Sequence, residues 1–396
     1  MRLRRFLTGT PYRGIAFRLE EGIRGRKRST LAVKEHAEAA INWILHAQAA
    51  CSTGGIPASY DVLTKRWAPP YPETTGYIIC SILRAAGNGL GDPRRLRDSA
   101  SSMGRWLLST QMANGAFPAG HIGLANPKPA VFNTGQVLQG LIALAQDGLD
   151  EDGRFAKSAD RAARWMIEQQ DSDGAWRRGV SQLTTEPIHT YYVRAAWPLA
   201  QYGKTRAVKE AVQAGLRNAE WVVSSQDKDD WFPHMNFNTG ENPFTHTVAY
   251  TLQGLVEIGV LCGRNDLIGA ALRAAQRMRQ VQDPATGALP GQLDRPYRSA
   301  ADWTDTSANS QMAVLWFRLG DITGDPSWRE AALSANVCNC SLQDIGHRNP
   351  VRRGGLPSSY PRHLGYQRFK YVNWGLKFFL DALMDQMGCP TRAGNL

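Results

Sequence analysis

The chain has 396 residues, 43% hydrophobic and 20% charged, with a formal net charge of +11. This composition excludes a disordered or fibrous protein and fits a soluble globular one. The positive surplus favours acidic partners. Residues 1–30 form a basic arm, in which Arg and Lys far outnumber Glu20 and Glu21. The arm contains no apolar run, so no secretory signal is expected. No apolar stretch is long enough for a membrane span, and a cytoplasmic location is the default. Six cysteines without a CxxC pair read as free thiols in a reducing compartment, with no zinc site.

Beyond the arm, residues 31–390 read as one domain. Helical apolar spacing is predicted over 33–49, 93–111, 154–170, 205–226, 265–282 and 325–343, each with a polar face left for solvent. Alternating with these are segments 74–87, 133–147, 188–202, 245–260, 305–320 and 372–387. They are rich in Gly, Ala, Thr and aromatics and poor in charge, which marks buried helices. A turn of the form Gln, polar residues, Gly or Asp, then an apolar residue closes each outer helix. It begins at Gln48, Gln111, Gln170, Gln226, Gln282 and Gln343, at intervals of 56 to 63 residues. A fixed period along the whole chain means a repeat architecture. Six two-helix units suggest a closed ring, with an outer and an inner layer.

The connections from outer to inner helix are long: 51–73, 112–132, 171–187, 227–244, 283–304 and 344–371. Loops of that length usually serve binding or catalysis. All six leave at one end of the ring, over the N-termini of the inner helices, whose free N–H groups suit an anion. The residues opening those helices repeat as Glu73-Thr74, Asn133-Thr134, His189-Thr190, His246-Thr247, Asp305-Thr306 and Asn373-Trp374. Asn, Asp and Thr there are candidate caps. Glu and His cap less often, so Glu73, His189 and His246 are candidates for proton transfer. Tyr71 stands beside Glu73 and near Lys65 and Arg66. Carboxylates Asp302 and Asp305, paired with Glu73, Glu186 or Glu241, would suit a glycoside hydrolase. No metal-ligand spacing occurs, and neither metal nor cofactor is expected.

Basic and aromatic loop residues interleave. Lys65, Arg66, Arg298, Trp67, Trp231, Trp303 and Tyr360, with Asn133 and Asn373, are candidates for binding an acidic polysaccharide or oligosaccharide. The same residues also read as solvated cations and loop anchors. Asp227-Lys228-Asp229-Asp230 matches the DxDD pattern of alkene-protonating cyclases, but it falls within a repeat turn. No specific nucleic-acid module is present.

The Gln-x-x-x-Gly-x-aromatic turns resemble those of the toroidal (α/α)6 superfamily. That superfamily includes terpene cyclases, prenyltransferase β-subunits and polysaccharide lyases, hydrolases and epimerases. The resemblance covers residues 33–387 and implies an all-α toroid of six helical hairpins with long loops at one end. Tyr71-Pro72-Glu73-Thr74-Thr75 further resembles a Tyr-Pro-x-Thr stretch in the helical domain of heparosan glucuronyl C5-epimerases. This implies an active-site role for Tyr71; the Glu that precedes the Tyr in that family is replaced here by Pro70. The chain also looks like bacterial proteins found with glycan-biosynthesis functions. The resulting expectation is proton abstraction from a uronate-containing glycan, giving β-elimination or C5 inversion. Tyr71, Glu73, His189, His246 and Asp305 are the catalytic candidates. Three alternatives stand beside it: a glycoside hydrolase using Glu73 with Asp302 or Asp305, a non-catalytic glycan-binding protein, and an isoprenoid cyclase using Asp229 or Asp230.

Overall fold

The computed structural model describes residues 28–390, together with Gly14, Ile15, Leu19 and Gly22; most of the basic arm lies outside the described residues. From residue 28 onward the helices are α1 (Val33–Ala49), α2 (Pro72–Gly87), α3 (Pro93–Thr110), α4 (Val131–Gln146), α5 (Arg154–Gln169) and α6 (Val193–Arg206). They continue as α7 (Lys209–Ser224), α8 (Thr245–Cys262), α9 (Asn265–Gln280), α10 (Thr306–Thr323), α11 (Pro326–Leu342) and α12 (Asn373–Gln386). Odd-numbered helices bury one stripe; even-numbered helices are buried on nearly every side. Each inner helix packs on the next, and α12 returns to α2 and to α1, closing an (α/α)6 toroid.

Inner helices approach closely where glycine allows it. A Cβ on Gly140 of α4 would lie 2.2 Å from the Gly76 carbonyl oxygen of α2. The third unit departs from the expected boundaries. A 3-10 turn at Thr190–Tyr192 precedes α6, and α6 runs on to Arg206. The left-handed Ala207 (φ 57°) then ends it, which delays α7 to Lys209.

The six glutamines explain the period. The Gln170 Nε2 amide donates to Gly174 O of its own turn (3.0 Å) and to Ala214 O of the next outer helix (2.8 Å). Gln48, Gln111, Gln226 and Gln282 make the same two bonds to their own turn and next helix. Gln343 bonds Gly354 O and then His36 O of α1, so the last clasp joins the end of the ring to its start.

The long loops emerge together over the N-terminal ends of the inner helices and are stitched by short strands. These are β1 (Ser59–Asp61), β2 (Arg66–Trp67), β3 (Leu293–Asp294), β4 (Arg298–Ser299), β5 (Thr304–Asp305), β6 (Ser359–Tyr360) and β7 (Lys370–Val372). β1 pairs antiparallel with both β2 and β7, with Tyr60 opposite Trp67 and Tyr371, so the first loop is bonded to the last. β5 pairs with β6, with Asp305 opposite Ser359. Threonines near the starts of three inner helices tie loops down. Thr75 Oγ1 accepts from Ile56 N (3.1 Å), Thr134 Oγ1 accepts from Phe117 N (3.0 Å), and the Thr190 hydroxyl donates to Pro233 O (2.6 Å). Of the inner helices, only α10 has a side-chain cap: Asp305 accepts from Ser307 and Ala308 N–H.

Replacing Gln343 with Ala leaves two buried carbonyls without their donor. The expected loss is about 2–4 kcal/mol of stability, read from the midpoint of urea unfolding.

Candidate active site

At the looped end lies a cavity of about 400 Å³. That volume falls within the ordinary range for a small-molecule site. Its walls are mostly aromatic: Phe132, Tyr191, Tyr192, Phe237, Phe244, Tyr366 and Trp374. These rings interlock, with Tyr366 at 4.9 Å from Phe244 and Phe132 at 5.3 Å from Tyr191. One turn deeper, Tyr77 of α2 and Tyr250 of α8 also line it and interact across the axis. Glu73, Glu241 and His246 are the acidic and histidine side chains in the lining. No Lys or Arg belongs to it among the described residues.

Glu73 occupies the first turn of α2 and is buried. Its Oε2 accepts from Asn133 Nδ2 on the neighbouring α4 at 2.9 Å. Burial raises its pKa to about 7, although the hydrogen bond with Tyr71 works the other way. At neutral pH this carboxyl therefore holds its proton about half the time. Tyr71 is pushed well above the ordinary phenol range, by burial first and by Glu73 next. Both causes favour the protonated phenol.

His246 opens α8, three places round the inner ring from α2, so Glu73 and His246 stand on opposite sides of the axis. Its Nδ1 bonds Asp305 Oδ2 at 2.7 Å, and its ring stacks on Phe244 at 5.4 Å. The other Asp305 oxygen accepts the Ser307 and Ala308 N–H groups at 2.9 and 3.1 Å. The carboxylate is thus fixed by the helix start and in turn fixes the imidazole, leaving Nε2 for a ligand. Asp305 itself stands behind His246, outside the lining, and orients it.

The structure brings together Tyr71, Glu73, Asn133 and His246, with Asp305 behind them. It places the other candidates elsewhere. His189 lies under Tyr191 and Tyr192, whose rings are 4.6 and 4.9 Å away. Burial lowers its pKa to about 4, so it is a neutral ring bonded to Thr184 rather than an acid at the cavity. Lys65 and Arg66 are exposed on the first loop, and Trp67 packs on Trp43 and Tyr60. Arg298 pairs with Asp294 in the open. Trp231 packs edge-on against Tyr297. Trp303 fills the space left by the missing side chains of Gly291 and Gly365. Tyr360 belongs to β6, and Asn373 bonds Pro57 O and Thr74 Oγ1. Asp302 is exposed. Asp229 and Asp230 face Arg295, Arg273 and Arg277 on an outer turn, away from any aromatic lining. The expected cationic lining is therefore not formed by these residues: their positive charges meet acidic side chains or solvent.

Sequence reasoning missed most of the aromatic wall. Tyr77 and Tyr250 follow Glu73 and His246 by four residues, one helical turn, and that spacing was a usable signal. Phe237 and Tyr366 come from loops, where no periodicity points inward. Among the described residues, no three His, Cys, Asp or Glu side chains are grouped to hold a metal. No helix among them is long and apolar enough to cross a membrane.

No protein-family model matches the chain, and no curated protein matches its sequence. Solved structures do match in shape, and they define the class as the α/α toroid found in several sugar enzymes. An unsaturated glucuronyl hydrolase specific for heparin superposes with a TM-score of 0.70 at 16% identity, over 91% of this chain and 98% of that one. A sugar epimerase from a ruminal bacterium gives 0.70 at 13% identity, covering 89% and 98%. A D-mannose isomerase gives 0.69 at 9% identity, covering 91% and 98%. At these identities the likeness is one of fold.

The raised Glu73 pKa has a consequence for stability. Unfolded, the carboxyl titrates near 4.5; folded, near 7. Between those values the folded state binds more protons, so this group makes the fold less stable as pH rises from 4.5 to 7, and the deficit stays constant above. Glu73→Gln removes the deficit. Its stability relative to wild type is expected to improve by about 3 kcal/mol between pH 4 and pH 8, measured by urea unfolding at both.

Proposed function

We propose that the cavity cleaves a glycosidic bond, with Glu73 as general acid and His246, oriented by Asp305, as general base. The observation that carries this reading is the pair itself. A carboxyl that burial keeps partly protonated faces, across one aromatic cavity, a histidine backed by a carboxylate. Sugar rings present apolar faces that stack on aromatic side chains. Glu73 gives its proton to the bridging oxygen as the bond to the anomeric carbon breaks. His246 Nε2 takes a proton from the water that attacks that carbon from the other side, and solvent restores both groups. Asn133 holds the Glu73 carboxyl in place, and Tyr71 hydrogen-bonds it from the entrance side of α2.

The functions of the structural neighbours support a sugar substrate. They include glucuronyl hydrolysis, sugar epimerisation and mannose isomerisation. Hydrolysis is favoured over β-elimination or C5 inversion of a uronate. Those reactions draw a proton from carbon beside a carboxylate, whose charge a cation offsets best, and the lining residues include no Lys or Arg. Hydrolysis has no such requirement. One observation supports a second reading, epimerisation: an acid and a base on opposite faces of the axis also suit proton removal and return at one carbon.

The products separate these readings. Hydrolysis yields a new reducing end from an oligosaccharide. Epimerisation in deuterium oxide yields an uncleaved sugar carrying deuterium. A lyase yields an unsaturated, ultraviolet-absorbing end. Only the first outcome supports the proposal. Glu73→Gln is expected to lower turnover about 10²–10⁴-fold, and much less for an aryl glycoside whose leaving group needs no proton. His246→Ala should fall by a similar factor with either substrate. Activity should decline as pH rises through about 7, where Glu73 loses its proton, and that limb should vanish in Glu73→Gln.

A further inference from the structure

Below the aromatic cavity, a buried guanidinium lacks hydrogen-bond partners at two of its nitrogens. Arg194, in the first turn of α6, is fully buried. A guanidinium carries five N–H donors in a plane. One of its terminal nitrogens, Nη2, reaches Gln139 Oε1 at 3.2 Å, and the group lies over the Trp197 ring at 4.5 Å. Its Nε and Nη1 find no hydrogen-bond partner. Nearby carboxylates are committed elsewhere. Glu257 accepts from Arg318 at 3.1 and 3.3 Å, Asp381 pairs with Lys377 at 2.6 Å, and Asp385 pairs with Arg84 at 2.6 Å. Lys377, also buried, is close enough to repel Arg194. The Cys80 thiol between them is pushed up to about 12 by burial and stays neutral. Glu257 also attracts Arg194 but makes no hydrogen bond to it, so the Arg194 Nε and Nη1 donors remain unmet.

An isolated buried ion is far more costly than an unpaired polar group, and a real fold supplies a partner. We infer that Arg194 holds a small monovalent anion, of the halide class, at its Nε and Nη1 face. Three features select that ligand. The guanidinium carries a single positive charge, so a monovalent ion matches it. Arg194 and Lys377 are enclosed, so the ion must be small. The unpartnered groups are donors, so the ion must be an acceptor. The site lies beneath Tyr77 and Tyr250, both of which feel the Arg194 charge. It is independent of the reaction assigned to the cavity above.

The wild-type protein decides the matter. Crystals soaked in bromide should show an anomalous peak in contact with Arg194 Nε and Nη1. The melting temperature should be higher in sodium chloride than in sodium gluconate at equal ionic strength, by about 3 °C or more. The difference should disappear in Arg194→Met. A water molecule or no density at those nitrogens, with equal melting temperatures in the two salts, overturns the assignment. So does a bromide peak elsewhere with Arg194 left bare. Because the bromide soak needs no variant, failure of Arg194→Met to fold leaves the test intact.

Discussion

The structure depends on one repeated clasp. In each unit a glutamine amide bonds a carbonyl of its own turn and a carbonyl of the next outer helix. One side chain therefore does two things: it shapes the turn that sends the chain back toward the axis, and it sets where the following hairpin lies. Each bond alone contributes about 1 kcal/mol. Repeated six times, and closed by Gln343 on His36, it removes the freedom of hairpins to slide past one another. With the hairpins fixed, the inner helix starts converge, and everything chemical in the cavity sits on or beside those starts.

Convergence alone would give a polar mouth. The loops make it an aromatic one. They are bonded to each other through β1, β2 and β7 and through β5 and β6, and held to the inner helices by Thr75, Thr134 and Thr190. Rings from the fourth and sixth loops, Phe237 and Tyr366, then close over residues that would otherwise meet water. This desolvation is the first cause of the raised Glu73 pKa. The fold thus gives up stability as pH rises from about 4.5 to 7 at the place where it keeps a carboxyl partly protonated.

The ring, its two layers and the looped end were legible in the sequence because each follows from periodicity: the helical period, the glutamine period and the contrast between short and long connections. Glu73, Asn133, His246 and Asp305 were legible for the same reason, as equivalent positions in a repeat. Loop residues had no such constraint. Lys65, Arg66 and Arg298 were assigned to the substrate on charge and proximity in sequence, but charge carries no direction. The Asp residues of the repeat turns hold several loop arginines on the outside, as Asp171 and Asp173 hold Arg177 and Asp227 holds Arg295. Trp231 and Trp303 likewise spend their rings on loop packing. His189 and His246 are equivalent in sequence and differ in outcome, because the 3-10 turn after His189 lays Tyr191 and Tyr192 over it.

The missing cationic lining and the protonated Glu73 are two sides of one requirement. An Arg or Lys within a few ångströms would favour the ionised carboxyl and pull its pKa back down. A cavity built to keep that proton must keep its cations away, whatever the net charge of the chain. Among the described residues, several loop arginines are accordingly held by turn carboxylates outside the cavity. Two cations near the axis, Arg194 and Lys377, are buried below the cavity, and neither belongs to its lining.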